Sequence, residues 1–553
     1  MAYDRRTFLE LTGLALLSRH GLRLPRQADL VLRRATVYDG SGQAPIQADV
    51  AISGDRIGAV AGSLSAGATP SIDINGLAVA PGFIDIHSHT DAELFVNPTA
   101  DSKIRQGVTT EVAGQDGSSM GPWTEDRAAS TTASYRERYG TTTALGTLGA
   151  FMEALAARTF AVNFATMVGH GTVRGTIIGN DDRPATADEL EQMRLLVRAA
   201  LGDGACGLSS GLEYVPGAFG DLNELVLLAR ELQSYGLPYA SHMRNEDDQL
   251  TAAVEEAINV GQHAGVPIQI SHLKAQGTRN WWKRESVLAM LMTARGNGVD
   301  VMYDRYPYVA YSTGLTSLFP VWSRDGGNTA LLERLGDPVS APRIERDVRD
   351  KVAKLGSWDA VQVTSTDNDS LSWAEGHRLG ALAKARGLDP YALLLQLTIG
   401  DGARSGMVGF GMSQENTAAF LAHPLGMVCS DGSALATEGP LASGTPHPRS
   451  FGAFPRVLGH YCRDERVMPV ETAIQKMTAM PARRLRLVDR GVITPGAFAD
   501  LVVFDPATVS DRATFANPHQ YPTGIEHVIV NGEVVLQNGE LTGRLPGRVL
   551  RPN

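Results

Sequence analysis

The stretch FAVNFATMVG (160–169) and the segment ADELEQMRLLVRAALGDG (187–204) that follows it decide the fold. The first is a short apolar run, and the apolar residues of the second recur at helical spacing. The same alternation continues through ACGLSSG (205–211), LPYASH (237–242) and VPIQISH (266–272), each separated from the next by a longer amphipathic segment. Short strands that alternate with helices are typical of a parallel sheet with helical crossover connections.

This alternation extends over residues 81–485, a length that suits a (β/α)8 TIM-like barrel with insertions. Residues 28–80 and 486–553 instead contain short runs of alternating apolar and polar residues separated by Asp-Gly and Asn-Gly turns. Two β segments at opposite ends of a chain can close into one sheet domain. We therefore predict an α/β protein with a barrel and a small β-sandwich domain formed by both ends of the chain. Residues 320–365 lack clean strand signals and are predicted to be an insertion on the catalytic side.

Composition and charge narrow the classes of function. Of 553 residues, 43% are hydrophobic and 20% are charged, so a large folded core is available. The net charge of −10, without basic blocks, argues against nucleic acid and membrane surfaces as partners. The three cysteines, Cys206, Cys429 and Cys462, are too widely spaced for a disulfide framework or a CxxC metal site.

The N-terminal segment, residues 1–27, leaves the location of the protein open. Residues 4–17, DRRTFLELTGLALL, are similar to a bacterial twin-arginine export signal. Asp4 and Glu10 are unusual flanks, however, the apolar stretch is short, and no A-x-A cleavage site follows. A surface helix in a cytoplasmic protein is the alternative interpretation.

Histidines and aspartates follow five of the predicted barrel strands. The active site of such a barrel lies at the C-terminal ends of its strands, so these side chains are expected to converge. The His-x-His pair in PGFIDIHSHTD (81–91) places two imidazoles on one face of an extended segment. A single histidine at a strand end is more often a hydrogen-bonded loop residue, and a single aspartate is often a helix N-cap. Together, however, these residues have the donor types of a metal site: His87, His89, Asp116, His242, His272 and Asp431.

Further motifs occur in a fixed order along the chain: GHGTVR (169–174), GLSSGLEYVPG (207–217), ASHMRNE (240–246), ISHLK (270–274), DRYPYVAYST (304–313), SDG (430–432), HPRSFGAFPRVLG (447–459) and DRGVITPGAFADLVVFDP (489–506). With the His-x-His pair, they resemble the amidohydrolase superfamily and, within it, the N-acyl-D-amino-acid deacylases, over nearly the whole chain from about residue 29. The resemblance implies metal-dependent hydrolysis of an N-acylated amino acid, with one or two Zn²⁺ ions per chain. It leaves a homo-oligomer open.

The resemblance also implies roles for the metal ligands. His87, His89 and Asp431 resemble the ligands of the weaker of two metal positions, and His242 and His272 resemble ligands of the tighter one. The family completes the tighter site with the cysteine of a G-N-C-G turn, where this chain has Gly-Gln-Asp-Gly at 114–117. The aspartate of this turn is a harder ligand than a thiolate and can bridge two ions.

Glu111, which lies within the preceding strand, is the alternative ligand to Asp116. By the same resemblance, Asp431 takes a proton from the attacking water and passes it to the leaving nitrogen. The residues expected to bind the substrate are Lys274, Tyr214, Tyr306, Ser312 and Arg449.

Simpler interpretations of some of these residues stay open. The alternative for Lys274 is a solvated position on the surface. The alternative for Tyr306 is packing in the hydrophobic core. The connection SALATEGPLASGTP (433–446) is longer than is usual in the family, which leaves the position of Arg449 open. His170 is interpreted as structural rather than as part of the site.

The sequence leaves three other functions possible. One is a cyclic-amide hydrolase of the dihydroorotase or hydantoinase type, and another is a carboxypeptidase-like amidase. No lysine lies between Lys103 and Lys274, so the carbamylated lysine that related hydrolases place on the fourth strand is absent, which argues against the hydantoinase branch. The third is a barrel without catalysis that serves as a scaffold, which the nearly complete ligand set disfavours.

Overall fold

The computed structural model describes residues 28–65, 69–140 and 146–552, so the segment with the twin-arginine pattern lies outside the described residues. The strands are β1 (Leu30–Val37), β2 (Ile46–Ser53), β3 (Arg56–Ala61), β4 (Ser71–Asp73), β5 (Ala78–Pro81), β6 (Phe83–Asp85), β7 (Val108–Ala113), β8 (Asn163–Thr166), β9 (Val168–Gly169), β10 (Leu208–Gly211), β11 (Tyr239–His242), β12 (Ile268–Ile270), β13 (Val301–Arg305), β14 (Ala310–Gly314), β15 (Val361–Ser365), β16 (Gly406–Phe410), β17 (Gly426–Val428), β18 (Leu501–Phe504), β19 (Ile525–Val530), β20 (Glu533–Gln537) and β21 (Glu540–Leu541).

The helices are α1 (Asp101–Ile104), α2 (Glu125–Tyr139), α3 (Leu148–Ala156), α4 (His170–Ile177), α5 (Ala187–Asp203), α6 (Leu222–Ala229), α7 (Leu250–Ala264), α8 (Arg284–Gly296), α9 (Gly327–Gly336), α10 (Ser340–Leu355), α11 (Leu379–Arg386), α12 (Pro390–Gly400), α13 (Gln414–Ala422), α14 (Arg449–Arg456), α15 (Val470–Met477) and α16 (Ala479–Arg484). The segment with helical spacing forms α5, which begins with a capping box between Thr186 and Glu189 and ends at Gly204, whose φ is 108°. Within the described residues, no helix is both long and apolar enough to cross a lipid bilayer.

Parallel strands form the barrel. β6, β7 and β8 pair in parallel, as do β9, β10, β11, β12, β13 and β17 in that order. Only Met167 separates β8 from β9, so the two sheets are continuous and contain eight barrel strands. A parallel bridge between Ser88 and Gly432, with a hydrogen bond from the Asp431 N–H to the His87 carbonyl at 2.9 Å, joins the last strand to the first. The predicted (β/α)8 barrel is confirmed.

Both ends of the chain contribute to a second sheet. Its nine strands belong to one hydrogen-bonded sheet in the order β21-β20-β19-β18-β5-β1-β2-β3, with β4 beside β1. β5 is the junction, because it pairs in parallel with β1 and antiparallel with β18. β5 ends at Pro81 and β6 begins at Phe83, so this sheet leads directly into the first barrel strand.

A separate unit lies between β13 and β17. β14, β16 and β15 form an antiparallel sheet in that order, and Leu315, Ile344, Val363 and Leu394 belong to a buried cluster that is distinct from the barrel core. The predicted insertion at 320–365 is only part of this unit, which includes strands and helices from β14 to β16. Its boundaries are set by the pairing of Ala310 with Phe410, a contact between distant residues that local periodicity does not reveal.

A buried lysine forms ion pairs and hydrogen bonds with several barrel strands near their C-terminal ends. Lys103 Nζ lies 2.7 Å from Asp85 Oδ2 and 3.0 Å from Glu111 Oε1, and all three side chains are fully buried. It also donates hydrogen bonds to Ser430 Oγ at 2.9 Å and to the Gly432 carbonyl at 2.8 Å. One ammonium group therefore connects β6, β7 and the loop after β17.

We expect Lys103→Met to lower the free energy of unfolding by about 3–5 kcal/mol, because it leaves two buried carboxylates without their counter-charge. Methionine has a similar length, so little cavity is created. Equilibrium urea unfolding followed by circular dichroism measures the change. Lys384→Met, at an exposed position on α11, is the matched control. Equal unfolding midpoints for the two variants would refute this assignment.

Candidate metal centre

The six predicted ligands all lie at the ends of barrel strands and share one mouth. His87 and His89 follow β6, and Asp116 follows β7. His242 is the last residue of β11, while His272 and Asp431 follow β12 and β17. The structure thus brings together side chains that the sequence distributes over 345 positions, from residue 87 to residue 431.

The Asp116 carboxylate lies at the centre of the cluster. Its Oδ1 is 3.4 Å from His87 Nε2. Its Oδ2 is 3.6 Å from His89 Nε2, 3.5 Å from His242 Nδ1 and 3.3 Å from His272 Nε2. One carboxylate therefore faces all four histidines.

Asp431 contacts the His87/His89 side of the cluster. Its Oδ1 lies 2.9 Å from His89 Nε2 and 3.5 Å from His87 Nε2. Its Oδ2 accepts a hydrogen bond from Arg449 Nη1 at 2.5 Å. The arginine thus fixes one carboxylate oxygen and leaves the other directed at the histidines.

Three of the six predicted ligands have a left-handed backbone. The φ angles are 52° for Asp116, 36° for His272 and 54° for Asp431. Residues other than glycine rarely adopt this conformation, and it concentrates at functional sites. In each case the chain turns sharply just after a strand.

Carboxylates lie behind the histidine rings. His87 Nδ1 is 3.3 Å from Asp304 Oδ1, and His272 Nδ1 is 3.1 Å from Glu246 Oε1. A carboxylate on the far nitrogen orients an imidazole and makes it a better metal ligand. Sequence analysis missed both acids, although they lie inside two of the quoted motifs, DRYPYVAYST and ASHMRNE. Their place in these motifs was the one signal available, and it does not distinguish them from ordinary acids.

The donor set fits a metal ion. His87 Nε2 and Asp116 Oδ1, which face each other in the cluster, are buried and have no hydrogen-bond partner among the described residues. Such orphaned polar atoms are costly unless something binds them. One donor atom from each of His87, Asp116, His272 and Asp431 lies within 4.8 Å of the others. Imidazole nitrogens and carboxylate oxygens at this spacing are suitable ligands for zinc.

The electrostatics of the cluster favour added positive charge. Burial lowers the pKa of His89 and of His242, but the neighbouring carboxylates, chiefly Asp116, outweigh it and raise these pKa values to about 9 and about 10. Burial raises the pKa of Asp116, and the surrounding histidines bring it well below its usual range. A divalent cation supplies the same positive charge that these shifts favour.

The predicted substrate residues separate into two groups. Tyr214, Ser312 and Arg449 line an open cavity of about 610 Å³ that also exposes His89 and Asp116. Lys274 and Tyr306 are buried instead.

The buried pair lies beneath the ligands. Lys274 Nζ is 2.5 Å from Glu246 Oε1 and 2.6 Å from His272 Nδ1. Lys274 lines a small enclosed space of about 20 Å³ together with four of the predicted ligands, Asp116, His242, His272 and Asp431. The ring of Tyr306, 6.4 Å from that of His272, is fully buried. Lys274 thus faces the metal centre although it does not line the open cavity, and Tyr306 lies beside the ring of His272.

The remaining candidates lie outside the cluster. Glu111 Oε1 accepts hydrogen bonds from Ser88 and Thr90 and pairs with Lys103, so it is not available as the alternative ligand. His170 Nε2 is 2.7 Å from Glu224 Oε1, a buried pair that supports α4.

Comparison with known proteins identifies the family. The model of the amidohydrolase family matches residues 71–305 and 421–536, which leaves out most of the inserted unit. The chain belongs to the amidohydrolase family. Within this family, it is 36% identical to a D-aminoacylase of Alcaligenes xylosoxydans xylosoxydans over 94% of this chain and 97% of that protein. It is 34% identical to an N-acyl-D-glutamate deacylase of the same organism over 96% and 97% of the two chains.

A solved structure gives the same result. The N-acyl-D-glutamate deacylase of Bordetella bronchiseptica, crystallised with zinc and a phosphonate mimic of the tetrahedral intermediate, is 34% identical to this amidohydrolase. The two structures match with a TM-score of 0.79 over 95% of this chain and all of that one. The barrel and the sheet domain are thus shared over nearly the full length.

Proposed function

We propose that this amidohydrolase is a metal-dependent N-acyl-D-amino-acid deacylase, which hydrolyses the linear amide of its substrate to a carboxylic acid and a free amino acid. The observation that carries the proposal is the convergence of four histidines and Asp431 on the Asp116 carboxylate at the mouth of the barrel. The D configuration follows from the relatives, whose names specify N-acyl-D-amino acids.

His87, His89, Asp116, His242, His272 and Asp431 would hold one or two zinc ions. A bound zinc ion supplies a Lewis acid that makes water nucleophilic near neutral pH and polarises a carbonyl oxygen. Asp304 and Glu246 keep the rings of His87 and His272 oriented for this ligand set.

Asp431 is placed to act as the proton carrier. Burial raises its pKa, but Arg449 and the nearby histidines outweigh burial and hold it below the usual range, so the carboxylate is ionised at neutral pH. It can therefore take a proton from the attacking water and deliver it to the nitrogen that leaves. Arg449 holds the Oδ2 atom during both transfers.

The open cavity provides the substrate site. Tyr214, Ser312 and Arg449 line it next to His89 and Asp116. Arg449 supplies a guanidinium group for the carboxylate of the amino acid, and the two hydroxyl groups are available to the neighbouring polar atoms. Lys274 contacts His272 and Glu246 and lines the space at the metal centre itself, where its ammonium group is available to an anionic group of the substrate.

The cyclic-amide alternative lacks its characteristic residue. β10, the fourth barrel strand, ends in Ser-Ser-Gly, and there is no lysine between residues 103 and 274. The central position is taken by Asp116. We therefore assign the site to linear amides.

A substrate panel tests this assignment. The zinc-loaded protein is assayed with N-acetyl-D-leucine, N-acetyl-L-leucine and dihydrouracil. We expect hydrolysis of the D compound, with kcat/KM at least about 100-fold above that of the L compound, because inversion moves the side chain or the carboxylate out of its contact. Preferential hydrolysis of dihydrouracil or of the L compound would refute the proposal.

A further inference from the structure

The substrate cavity extends away from the metal ligands. Its volume of about 610 Å³ is typical of a site for a whole small molecule. From the ligands it continues along the loop after β7, past Gly117 and Ser118, to the first turn of α2 and to α4. The walls there include Thr172, Gly175 and Pro216. A long substituent of the substrate therefore has a place to extend.

Arg127 carries the charge in this extension. The other ionisable side chains that line the cavity are Asp116, His89, Arg449 and Tyr214, and the first three belong to the metal centre described above. Arg127 Nη1 lies instead next to Gly175 of α4, at 3.8 Å from the position that a Cβ would occupy there. One end of the cavity thus contains predicted metal ligands, and the other end contains a single cationic side chain.

The guanidinium group of Arg127 has no acidic partner among the described residues. Neither Glu125 nor Asp126, its neighbours on α2, forms an ion pair with it. Partial burial lowers the pKa of Arg127, and no carboxylate acts in the opposite direction. Many of the exposed arginines of this chain pair with carboxylates, as Arg183 pairs with Glu189 at 2.7 Å. Arg127 is therefore free to bind an anion.

Arg127 is also held in place. Its guanidinium carbon stacks on the Trp123 ring at 4.9 Å from the centroid. The Trp123 indole N–H donates to the Ser119 carbonyl at 3.0 Å, and the Arg127 backbone N–H donates to Thr124 Oγ1 at 3.3 Å. Trp123 and Ser119 lie in the segment that runs from Asp116 to α2, so this packing connects Arg127 to the loop that carries a predicted ligand.

We propose that Arg127 is a specificity-determining residue that binds a carboxylate at the distal end of the substrate. This inference rests on the proposed function and adds its substrate class, N-acyl-D-amino acids that carry a second negative charge. That charge can belong to the side chain of the amino acid, as in a D-glutamate derivative, or to the acyl group, as in a succinyl derivative. Arginine binds a carboxylate with two parallel hydrogen bonds, which suits either source.

Two isosteric substrate pairs test the proposal. One pair is N-acetyl-D-glutamate and N-acetyl-D-glutamine, and the other is N-succinyl-D-leucine and N-succinamoyl-D-leucine. We expect the wild type to prefer the anionic member of one pair. Arg127→Gln should lower the ratio of kcat/KM values, anionic over neutral, by about 10- to 100-fold, mostly through KM. Arg136→Gln, at an exposed position on the same helix, is the control and should leave the ratio unchanged.

The outcomes separate the possibilities. A fall confined to the first pair places the charge on the side chain, and a fall confined to the second places it on the acyl group. An unchanged ratio in both pairs overturns the role of Arg127. If the zinc-loaded wild type hydrolyses neither these pairs nor N-acetyl-D-leucine, the proposed function fails, and calorimetric titration with glutarate tests Arg127 separately. Glutarate binding that Arg127→Gln weakens supports the anion site, and no binding to the wild type overturns it.

Discussion

Asp431→Asn lowers kcat by about 100- to 10,000-fold, which is the range for loss of a positioned general acid and base. Asparagine keeps the shape of the side chain, but its amide cannot take a proton from water at neutral pH. Five ligands remain after this change, including Asp116 at the centre of the cluster. The zinc content per chain should therefore change little while activity collapses. Steady-state kinetics and elemental analysis on the same preparation measure both quantities.

A control excludes a general effect of removing a carboxylate. Asp350 is exposed on α10, and Asp350→Asn should behave as the wild type in both assays. Full activity in Asp431→Asn would end its assignment as proton carrier. Loss of zinc in proportion to the loss of activity would show that Asp431 acts as a ligand only.

Asp116→Asn is expected to remove both zinc and activity. The Asp116 carboxylate faces all four histidines, so its negative charge is shared by the whole cluster. Without this charge the site loses metal affinity, and without metal it loses several kcal/mol of transition-state stabilisation, or about a thousandfold in rate. We therefore expect Asp116→Asn to lose more zinc than any other single variant.

The backbone makes this variant informative. Asp116 has a φ of 52°, a conformation that asparagine and glycine tolerate better than other residues. Asp116→Asn and Asp116→Gly therefore leave the turn unstrained, and their circular dichroism spectra should match that of the wild type. Retention of wild-type zinc content in either variant would contradict a central ligand role.

Much of the architecture is visible in the sequence because it follows from periodicity. The segment at 187–204 forms α5, and the apolar runs that end in His242 and His272 form β11 and β12. Strand ends in a parallel barrel meet at one rim, so residues far apart in the chain could be expected in one place. The resemblance to the deacylases then supplied the reaction.

Contacts set by tertiary structure were harder to predict. Asp304 and Glu246 orient histidine rings from other strands, and no local pattern distinguishes them from ordinary acids. Lys274 lies two positions after His272, and its ion pair with Glu246 is a further contact that this spacing does not reveal. The length of the inserted unit was underestimated for the same reason, since β14 pairs with β16 across almost 100 residues.

The central claim is that the metal at Asp116 makes this chain an N-acyl-D-amino-acid deacylase. The most direct measurement is the rate of N-acetyl-D-leucine hydrolysis by protein that has been stripped with a chelator, before and after zinc is added back. We expect no detectable hydrolysis by the stripped protein and recovery of the original rate as zinc is restored. Hydrolysis at an undiminished rate by protein shown to contain no metal would contradict the account.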